Sequence, residues 1–278
     1  MSIFTLLKRK KLTKQISTYR NEHKIDEKEL LTHPYKNIII YGSGLRNELI
    51  NIIIKYNEEG TYFYLDYKCD GDHYCNERKE YKRNEPLPFS VSKIDEKTIN
   101  IFYNGLLLAK DKKKYTASLS LSFTSKDKRI SMYEKSNNIV NLNEPLKILE
   151  SIKYDYAINT NVDINIKILN KVNKFSLKAL FISGDNDYSS LCSFINRKNE
   201  SLLLFTINNN QFGISNISTA KYSEIIKYEL DDNLFKVTTI DKEEISYQYK
   251  KEDNNFITIY NEDKVIGKGI LLINQKTI

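Results

Sequence analysis

The residues best suited to chemistry lie in the segment DYKCDGDHYCNE, which runs from Asp66 to Glu77. Taken as a twelve-residue calcium loop, the segment places Asp70 at the fifth position, Gly71 at the sharp bend, and a carboxylate at each end. Calcium needs oxygen ligands at such corners, and Lys68 instead brings an ammonium group to the third ligand position. The pattern therefore favours an exposed polar turn, or a calcium loop that has lost its ion, over a calcium site.

The same segment offers a second set of metal ligands. Cys69, His73 and Cys75 supply the thiolate and imidazole groups that zinc prefers, but no fourth ligand lies nearby in the sequence. Zinc thus stays the alternative to the polar turn, and we predict no cofactor for the chain.

A phosphate site is conceivable at YGSGLRNEL, where Gly42 and Gly44 follow an apolar run. Backbone amides at the start of a helix bind phosphate groups. Asn47, however, stands where a dinucleotide-binding sequence has its third glycine, and the lysine of a P-loop is missing. A tight turn with Ser43 as a helix cap is the favoured interpretation, and a nucleotide-using enzyme is the alternative.

Catalytic constellations are scarce. The chain has three histidines and no G-x-S-x-G sequence, so a Ser-His-Asp triad has few candidate bases. Cys192 lies among apolar residues and is typical of a small buried packing residue. We therefore predict no catalytic residue and a protein that is not an enzyme.

The charge distribution points to an acidic partner. The chain has 43 basic and 36 acidic residues, and acids and bases balance from Asn170 to Ile278, so the net charge of +7 lies in residues 1–169. Such charge suits RNA, the ribosome or anionic lipid heads, although a solvated tail without a partner is an equal alternative. The candidate partner-binding residues are Lys8, Arg9, Lys10, Lys11, Lys14, Arg20, Lys112, Lys113 and Lys114.

Composition indicates a folded protein of a reducing compartment. Hydrophobic residues make up 40%, the three cysteines are an odd number, and no apolar run is long enough to span a membrane. We expect a cytoplasmic protein, with peripheral contact to an endomembrane as a further expectation.

Hydrophobic periodicity predicts a mixed fold in the first half. Residues 23–31 read as a short helix, 38–41 as a strand, and LRNELINIIIKY as a helix. Asn104 and Gly105 predict a hairpin turn, because both turn residues must accept positive φ. EPLKILESIKYDYAI and NVDINIKILNKV read as two helices, the first with Pro145 in its first turn.

The second half reads as a β-rich unit. LKALFIS predicts a strand, YSSLCSFINRK a helix, and LLLFTINNNQFGIS a hairpin, after which five more strands follow. The predicted organisation is a basic arm and short helix at 1–34, a mixed α/β domain at 35–160 and a β-rich domain at 165–278. The boundary is expected at about residues 155–170.

These C-terminal segments together resemble the TLDc domain of oxidation-resistance proteins. The stretch LKALFISGDNDYSSLCSF is similar to that family's strand, polar corner and helix, and Phe212 with Gly213 resembles the end of its hairpin. The resemblance covers about residues 165–275 and implies a structural corner, which carries no reaction. The corner residues are Ser183, Asn186, Ser189, Phe212 and Gly213.

The resemblance implies an α+β protein whose C-terminal domain is a β-sandwich-like unit with an inserted helix. It further implies a non-catalytic binding module that docks on a large assembly such as the vacuolar-type proton ATPase. A basic factor that binds RNA or the ribosome is the alternative function.

Overall fold

The structure is a computed structural model of the chain. It describes residues 3–26, 29, 32–44, 48–77, 80–93, 98–125, 130–136, 139–140, 144–186, 190–195, 201–207, 210–215, 223–239, 244–252, 256–261 and 263–273. Within these ranges the chain forms two closed antiparallel β-barrels, one after the other, with short helices packed on the first.

The first barrel is a ring of eight strands. β10 pairs with both β8 and β11, and β11 pairs back to β1, so the order β1-β2-β3-β4-β7-β8-β10-β11 closes on itself. Three short strands lie beside the ring: β5 pairs with β3, β6 with β7, and β9 with β10. The bounds are β1 Asn37–Ser43, β2 Leu49–Tyr56, β3 Gly60–Cys69, β4 Asp72–Asn76, β5 Glu80–Lys82, β6 Phe89–Lys93, β7 Thr98–Ala109, β8 Lys114–Thr124, β9 Ile130–Ser131, β10 Tyr156–Ile168 and β11 Lys171–Gly184.

Alternate side chains of this ring fill its interior, as the period of a strand requires. On β2, Ile50, Ile52 and Ile54 point inward to a cluster that includes the stacked rings of Phe63 and Phe89. Several strands pack against the barrel interior with one face and against other elements with the opposite face. These strands are therefore apolar on both faces.

Three helices cover part of the outer face. They are α1 Ile3–Glu22, α2 Met132–Lys135 and α3 Pro145–Ser151. Leu12, Ile16 and Tyr19 follow one face of α1 and pack on the outer cluster, which also holds Ile148 and Leu149 of α3. The predicted basic arm is thus a helix that rests on the barrel.

The second barrel is a ring of eight consecutive strands, β12 to β19, closed by the pairing of β12 with β19. Its interior holds Leu204, Phe235, Tyr249 and Ile259, among other side chains. The bounds are β12 Ser190–Ile195, β13 Ser201–Ile207, β14 Asn210–Ser215, β15 Ser223–Leu230, β16 Leu234–Thr239, β17 Glu244–Lys251, β18 Phe256–Asn261 and β19 Lys264–Ile273.

The two barrels meet at a shared apolar cluster. Phe256 and Ile270 of the second barrel pack with Ile39, Tyr41 and other outward-facing residues of the first. The ring centroids of Tyr41 and Phe256 are 6.3 Å apart. A buried contact of this kind fixes one barrel on the other.

The predicted α+β fold class is wrong, because both halves are closed antiparallel barrels. The C-terminal unit is a single closed ring of strands and not a sandwich of two sheets. The segment that was predicted as its inserted helix contains strand β12. The mixed α/β assignment of residues 35–160 fails for the same reason.

Two predicted helices are strands. LRNELINIIIKY contains β2, whose apolar residues face both the interior and the outer cluster and so give no strand alternation. NVDINIKILNKV contains the second half of β10, where buried Val162 and Ile164 alternate with exposed Asp163 and Asn165. The predicted domain boundary falls inside this strand, whereas the sheets divide between Gly184 and Ser190.

The hairpin turn predicted at Asn104 and Gly105 is absent, because β7 runs straight through both residues. A side chain at Gly105 would collide with the ring of Tyr103, whose hydroxyl donates a 2.9 Å hydrogen bond to the carbonyl of Leu106. The glycine therefore makes room for a neighbouring ring. The connection to β8 lies at Lys110–Lys113, where Lys112 has φ +62°.

Candidate site at the barrel junction

The hairpin of β3 and β4 positions the candidate site. Asp70 and Gly71 form its turn with φ of +49° and +86°, as a two-residue turn of the mirror-image type requires. The register places Asp66 opposite Cys75 and Lys68 opposite His73, with all four side chains on the outward face of the barrel. Two residues seven apart in sequence, Asp66 and His73, thereby become neighbours.

The central contact joins an imidazole to a carboxylate. Nε2 of His73 contacts Oδ1 of Asp66, whose side chain is fully buried, while the side chain of His73 keeps 10% of its surface exposed. The hydroxyl of Tyr64 donates a 2.9 Å hydrogen bond to Oδ2 of the same carboxylate. Both oxygens of Asp66 are thus occupied.

The Tyr64 hydroxyl is held in its protonated form. Burial raises its pKa, and the charge of Asp66 together with the hydrogen bond to it raises the pKa further. Tyr64 is therefore a constant donor to the carboxylate across the pH range in which proteins work.

Asn51 completes the site from the neighbouring strand. Its register partner on β3 is Asp66 and its register partner on β1 is Tyr41. Asn51 is fully buried, and neither atom of its side-chain amide has a hydrogen-bond partner among the described residues. We refer to Asn51, Tyr64, Asp66 and His73 as the junction site.

An ion-pair network ties the second barrel to the edge of this site. The ammonium of Lys68 lies 3.1 Å from one oxygen of Glu252, and the ammonium of Lys268 lies 3.3 Å from the other. Thr258 donates a hydrogen bond to the latter oxygen. Burial alone would raise the pKa of Glu252, but the hydrogen bonds from Thr258 and Lys68 and the two positive charges outweigh it and lower the pKa to about 2.

The predicted metal ligands are not brought together. Asp66 is used by Tyr64 and His73, Asp70 is exposed at the hairpin tip, and Glu77 forms a 2.7 Å ion pair with Lys114. No group of three or more potential ligands is found in the described part of the chain. Cys69 and His73 point to opposite faces of the hairpin, which separates the proposed zinc ligands as well.

The Gly42 and Gly44 turn connects β1 to β2 and does not open a helix. A side chain at Gly44 would collide with the carboxylate of Glu48, which is buried. Asn47 lies outside the described residues.

The basic residues of α1 lie on its solvent side. Lys8, Arg9, Lys10, Lys11 and Lys14 are exposed. Arg20 is different, because it donates a 2.9 Å hydrogen bond to the carbonyl of Ser136. On the β7–β8 connection, Lys112 is exposed, and Lys113 and Lys114 form ion pairs with Asp111 and Glu77.

The polar corner after β11 is held by hydrogen bonds. Ser183 is buried within the strand, and Asn186 donates hydrogen bonds of 2.7 Å to the carbonyl of Ser151 and 2.6 Å to Asp155. Gly213 lies in β14 next to Phe212, opposite Leu204. Ser189 and Asp187 lie outside the described residues, as does the side-chain environment of Cys192.

A second Asp-His pair lies at this corner. His33 contacts Asp185 at 2.9 Å, and the ring of His33 stacks on Tyr154 with centroids 3.7 Å apart. Asp185 is 25% exposed, which distinguishes it from the fully buried Asp66. The corner pair offers a natural control for the junction site.

Sequence reasoning found Asp66 and His73 but assigned them to a metal loop, and it missed Asn51 and Tyr64. The missed signal is the Asp-Gly pair at residues 70–71, which is a strong hairpin indicator. A hairpin turn at these two residues fixes the register of β3 and β4, and the proximity of Asp66 to His73 could have been predicted from that register.

Comparisons with known proteins give no family. No protein-family model matches the chain, and no curated protein matches it significantly. Two solved structures are similar in fold. A protein assigned as AttH from Nitrosomonas europaea has a TM-score of 0.48 at 9% identity over 84% of this chain and 90% of its own. Kievitone hydratase from Nectria haematococca has a TM-score of 0.43 at 6% identity over 84% and 86%.

These likenesses bring no activity to the chain. The prediction that this chain is not an enzyme is not upheld, since kievitone hydratase is an enzyme by its name, although a likeness at 6% identity gives this chain no activity of its own. The resemblance to the TLDc domain is not addressed by either comparison and stays a prediction. Among the helices that the structure describes, none combines the length and apolar character needed to cross a membrane.

Proposed function

We propose that the junction site performs acid–base chemistry on a small molecule, with His73 as the group that gives and takes the proton. The observation that carries this proposal is the contact of His73 with the fully buried Asp66. A carboxylate in this position orients an imidazole, which is the arrangement used in general acid–base catalysis.

The surroundings of the pair support the proposal. Tyr64 donates a hydrogen bond to Oδ2 of Asp66, so that Oδ1 is the carboxylate oxygen that contacts His73. Asn51, one strand away, offers a donor and an acceptor that the described residues do not satisfy. A buried polar group without a partner costs about 1–3 kcal/mol, and such groups often mark functional sites.

The roles follow from these contacts. His73 transfers the proton, Asp66 orients and stabilises its ring, and Tyr64 positions Asp66. Asn51 binds a polar group of the substrate. The ion pairs of Glu252 with Lys68 and Lys268 hold the second barrel against the edge of the site.

The test uses a mixture of metabolites from a cell extract, incubated with the purified protein and followed by mass spectrometry. We expect at least one compound to be converted by the natural protein and by His33→Gln, the variant of the corner pair. His73→Gln should convert the same compound at least about a hundredfold more slowly, the typical contribution of a general acid or base. Equal conversion by His73→Gln and the natural protein would refute the proposal.

A second proposal concerns helix α1, whose five exposed cations favour contact with RNA or an anionic surface. Binding of a single-stranded RNA should weaken steeply as salt rises. Replacing Lys8, Lys10 and Lys11 with glutamine should lower both the affinity and its salt dependence, whereas the same change at Lys112 should not. Unchanged RNA affinity in the triple variant would exclude this role.

Two expectations from the sequence stay proposals. Docking on the vacuolar-type proton ATPase is supported by the TLDc resemblance and would be checked by recovery of ATPase subunits in a pull-down. A cytoplasmic location is supported by the odd number of cysteines and would be checked by cell fractionation.

A further inference from the structure

A cavity lies at one open end of the first barrel, on the face of the β3–β4 hairpin opposite to the junction site. Three connections meet at this end: those from β3 to β4, from β7 to β8 and from β10 to β11. The cavity has a volume of about 420 Å³. We call it the barrel-mouth cup; its lining includes Tyr67, Cys69, Tyr74, Tyr115 and Asn173, together with the exposed charged residues Asp72 and Lys171.

The walls of the cup are aromatic. Tyr67 stacks on Tyr74 with centroids 6.4 Å apart and on Phe175 with centroids 6.0 Å apart, and Tyr115 meets Tyr74 edge to face at 6.1 Å. Tyr74 and Tyr115 are only partly buried, so their rings remain accessible from the cup. Parallel and perpendicular ring faces of this kind bind flat molecules.

The floor of the cup holds one polar group suited to a ligand. Tyr67 is buried, and its hydroxyl lies near the Cys69 thiol and the Asn173 side chain without a hydrogen bond of normal geometry in the described structure. Burial raises the pKa of Tyr67 and also that of Cys69, so both groups stay protonated and neutral. The floor therefore suits an uncharged group that can form a hydrogen bond.

The rim carries a strained apolar residue. Leu169, in the connection from β10 to β11, has φ +55° and is 57% exposed. A leucine in the left-handed region is unusual, and strain of this kind is found at ligand-binding and other functional positions. Leu169 is one of the residues that line the cup.

We propose that the barrel-mouth cup binds a flat, uncharged, ring-containing small molecule that donates or accepts one hydrogen bond at the Tyr67 hydroxyl. The volume lies within the range of about 300–1,000 Å³ that small-molecule sites occupy, and mouths of β-barrels are common places for such sites. The cup is separate from the junction site, since it lies on the opposite face of the shared hairpin.

The test uses N-phenyl-1-naphthylamine, an uncharged aromatic amine whose fluorescence rises in apolar surroundings. Titration of the full chain should give saturable binding of one molecule per protein. Tyr115→Ala should weaken this binding about tenfold, which corresponds to the loss of one aromatic contact, and Tyr260→Ala in the second barrel should leave it unchanged. Circular dichroism confirms that each variant is folded.

A second measurement does not depend on a truncated side chain. The chain has no tryptophan, so Leu169→Trp creates a single tryptophan at the rim of the cup. The probe should quench this emission with the affinity found for the natural protein. Absence of saturable quenching in Leu169→Trp, or unchanged affinity in folded Tyr115→Ala, would overturn the proposal.

Discussion

Among single residues, Glu252 connects the two barrels through ion pairs with Lys68 and Lys268. Its two ion pairs and the hydrogen bond from Thr258 join β3 of the first barrel to the second barrel. Because the lowered pKa of Glu252 reflects these contacts, the same contacts must stabilise the folded chain.

Glu252→Gln should lower the free energy of unfolding by at most about 3 kcal/mol at pH 7. The folded pKa of about 2 lies below the ordinary value of 4.5, so the contribution is complete above pH 4.5 and is lost as the pH falls towards 2. Urea unfolding at pH 7 and pH 3 measures it, with the exposed Glu229→Gln as control. An equal loss of stability at both pH values would contradict this explanation.

Asn51 should show the opposite behaviour. Its buried amide has no partner among the described residues, so Asn51→Leu, which has a similar volume, should raise the free energy of unfolding by about 1–2 kcal/mol. The same change should impair the acid–base reaction, because a functional site gives up stability for activity. Destabilisation of the variant in urea would show that the amide is satisfied in the folded chain.

Asp66 and His73 were singled out from the sequence, but their grouping with Asn51 and Tyr64 was not predicted. Asp66, Asp70 and Glu77 fit calcium spacing along the chain, whereas the fold groups residues across strands. Asp66 meets His73 through a tight turn and Asn51 through an adjacent strand. Contact across strands follows only from the register, which a linear pattern of ligands does not contain.

At the scale of elements, α1 illustrates how a basic segment can also be a packing element. Its cations face the solvent, while Leu12, Ile16 and Tyr19 lie on the barrel. Tyr19 contacts Glu150 of α3, and Arg20 contacts the segment after α2. We therefore expect the helix to contribute to stability.

Ile16→Ala should lower the free energy of unfolding by about 2–4 kcal/mol, because the removed methyl groups leave a cavity under the helix. Leu7→Ala is the matched control on the same helix, where the side chain is 61% exposed, and should change stability little. Urea unfolding compares the two. Equal effects of the two substitutions would mean that α1 does not pack on the barrel.

Periodicity within a segment predicted some strands, such as β1, and missed others, such as β2 and β10. The predicted strands at β11 and β15 to β19 are present. β2 was read as a helix because its outward Leu49 and Ile53 are buried beneath other elements, so its residues are apolar in both directions. Packing of this kind is a tertiary effect, so it cannot be predicted from the periodicity of a single segment.

At the scale of the whole molecule, the two barrels share a core. Phe256 and Ile270 belong to the second barrel by pairing but to the outer cluster of the first by packing. The junction site lies on the same outer face, and the Glu252 ion pairs lie at its edge. The position of one barrel therefore determines the environment of the site.

Phe256→Ala should destabilise both barrels together. Hydrogen exchange of amides in β2 and in β18 should accelerate by a similar factor, since loss of a large buried ring costs about 3–5 kcal/mol in the shared cluster. Val265→Ala, which changes a side chain that is 58% exposed on β19, should leave both unchanged. Acceleration confined to β18 would show that the barrels unfold independently.

The most direct test of the account is transfer of solvent hydrogen by the junction site. A compound converted by the natural protein is incubated in heavy water, and the deuterium in its product is counted by mass spectrometry. Proton transfer to carbon through His73 predicts deuterium bound to carbon in the product of the natural protein and of His33→Gln, and incorporation at least about a hundredfold slower with His73→Gln. Deuterium incorporation at an undiminished rate with His73→Gln would contradict the central claim.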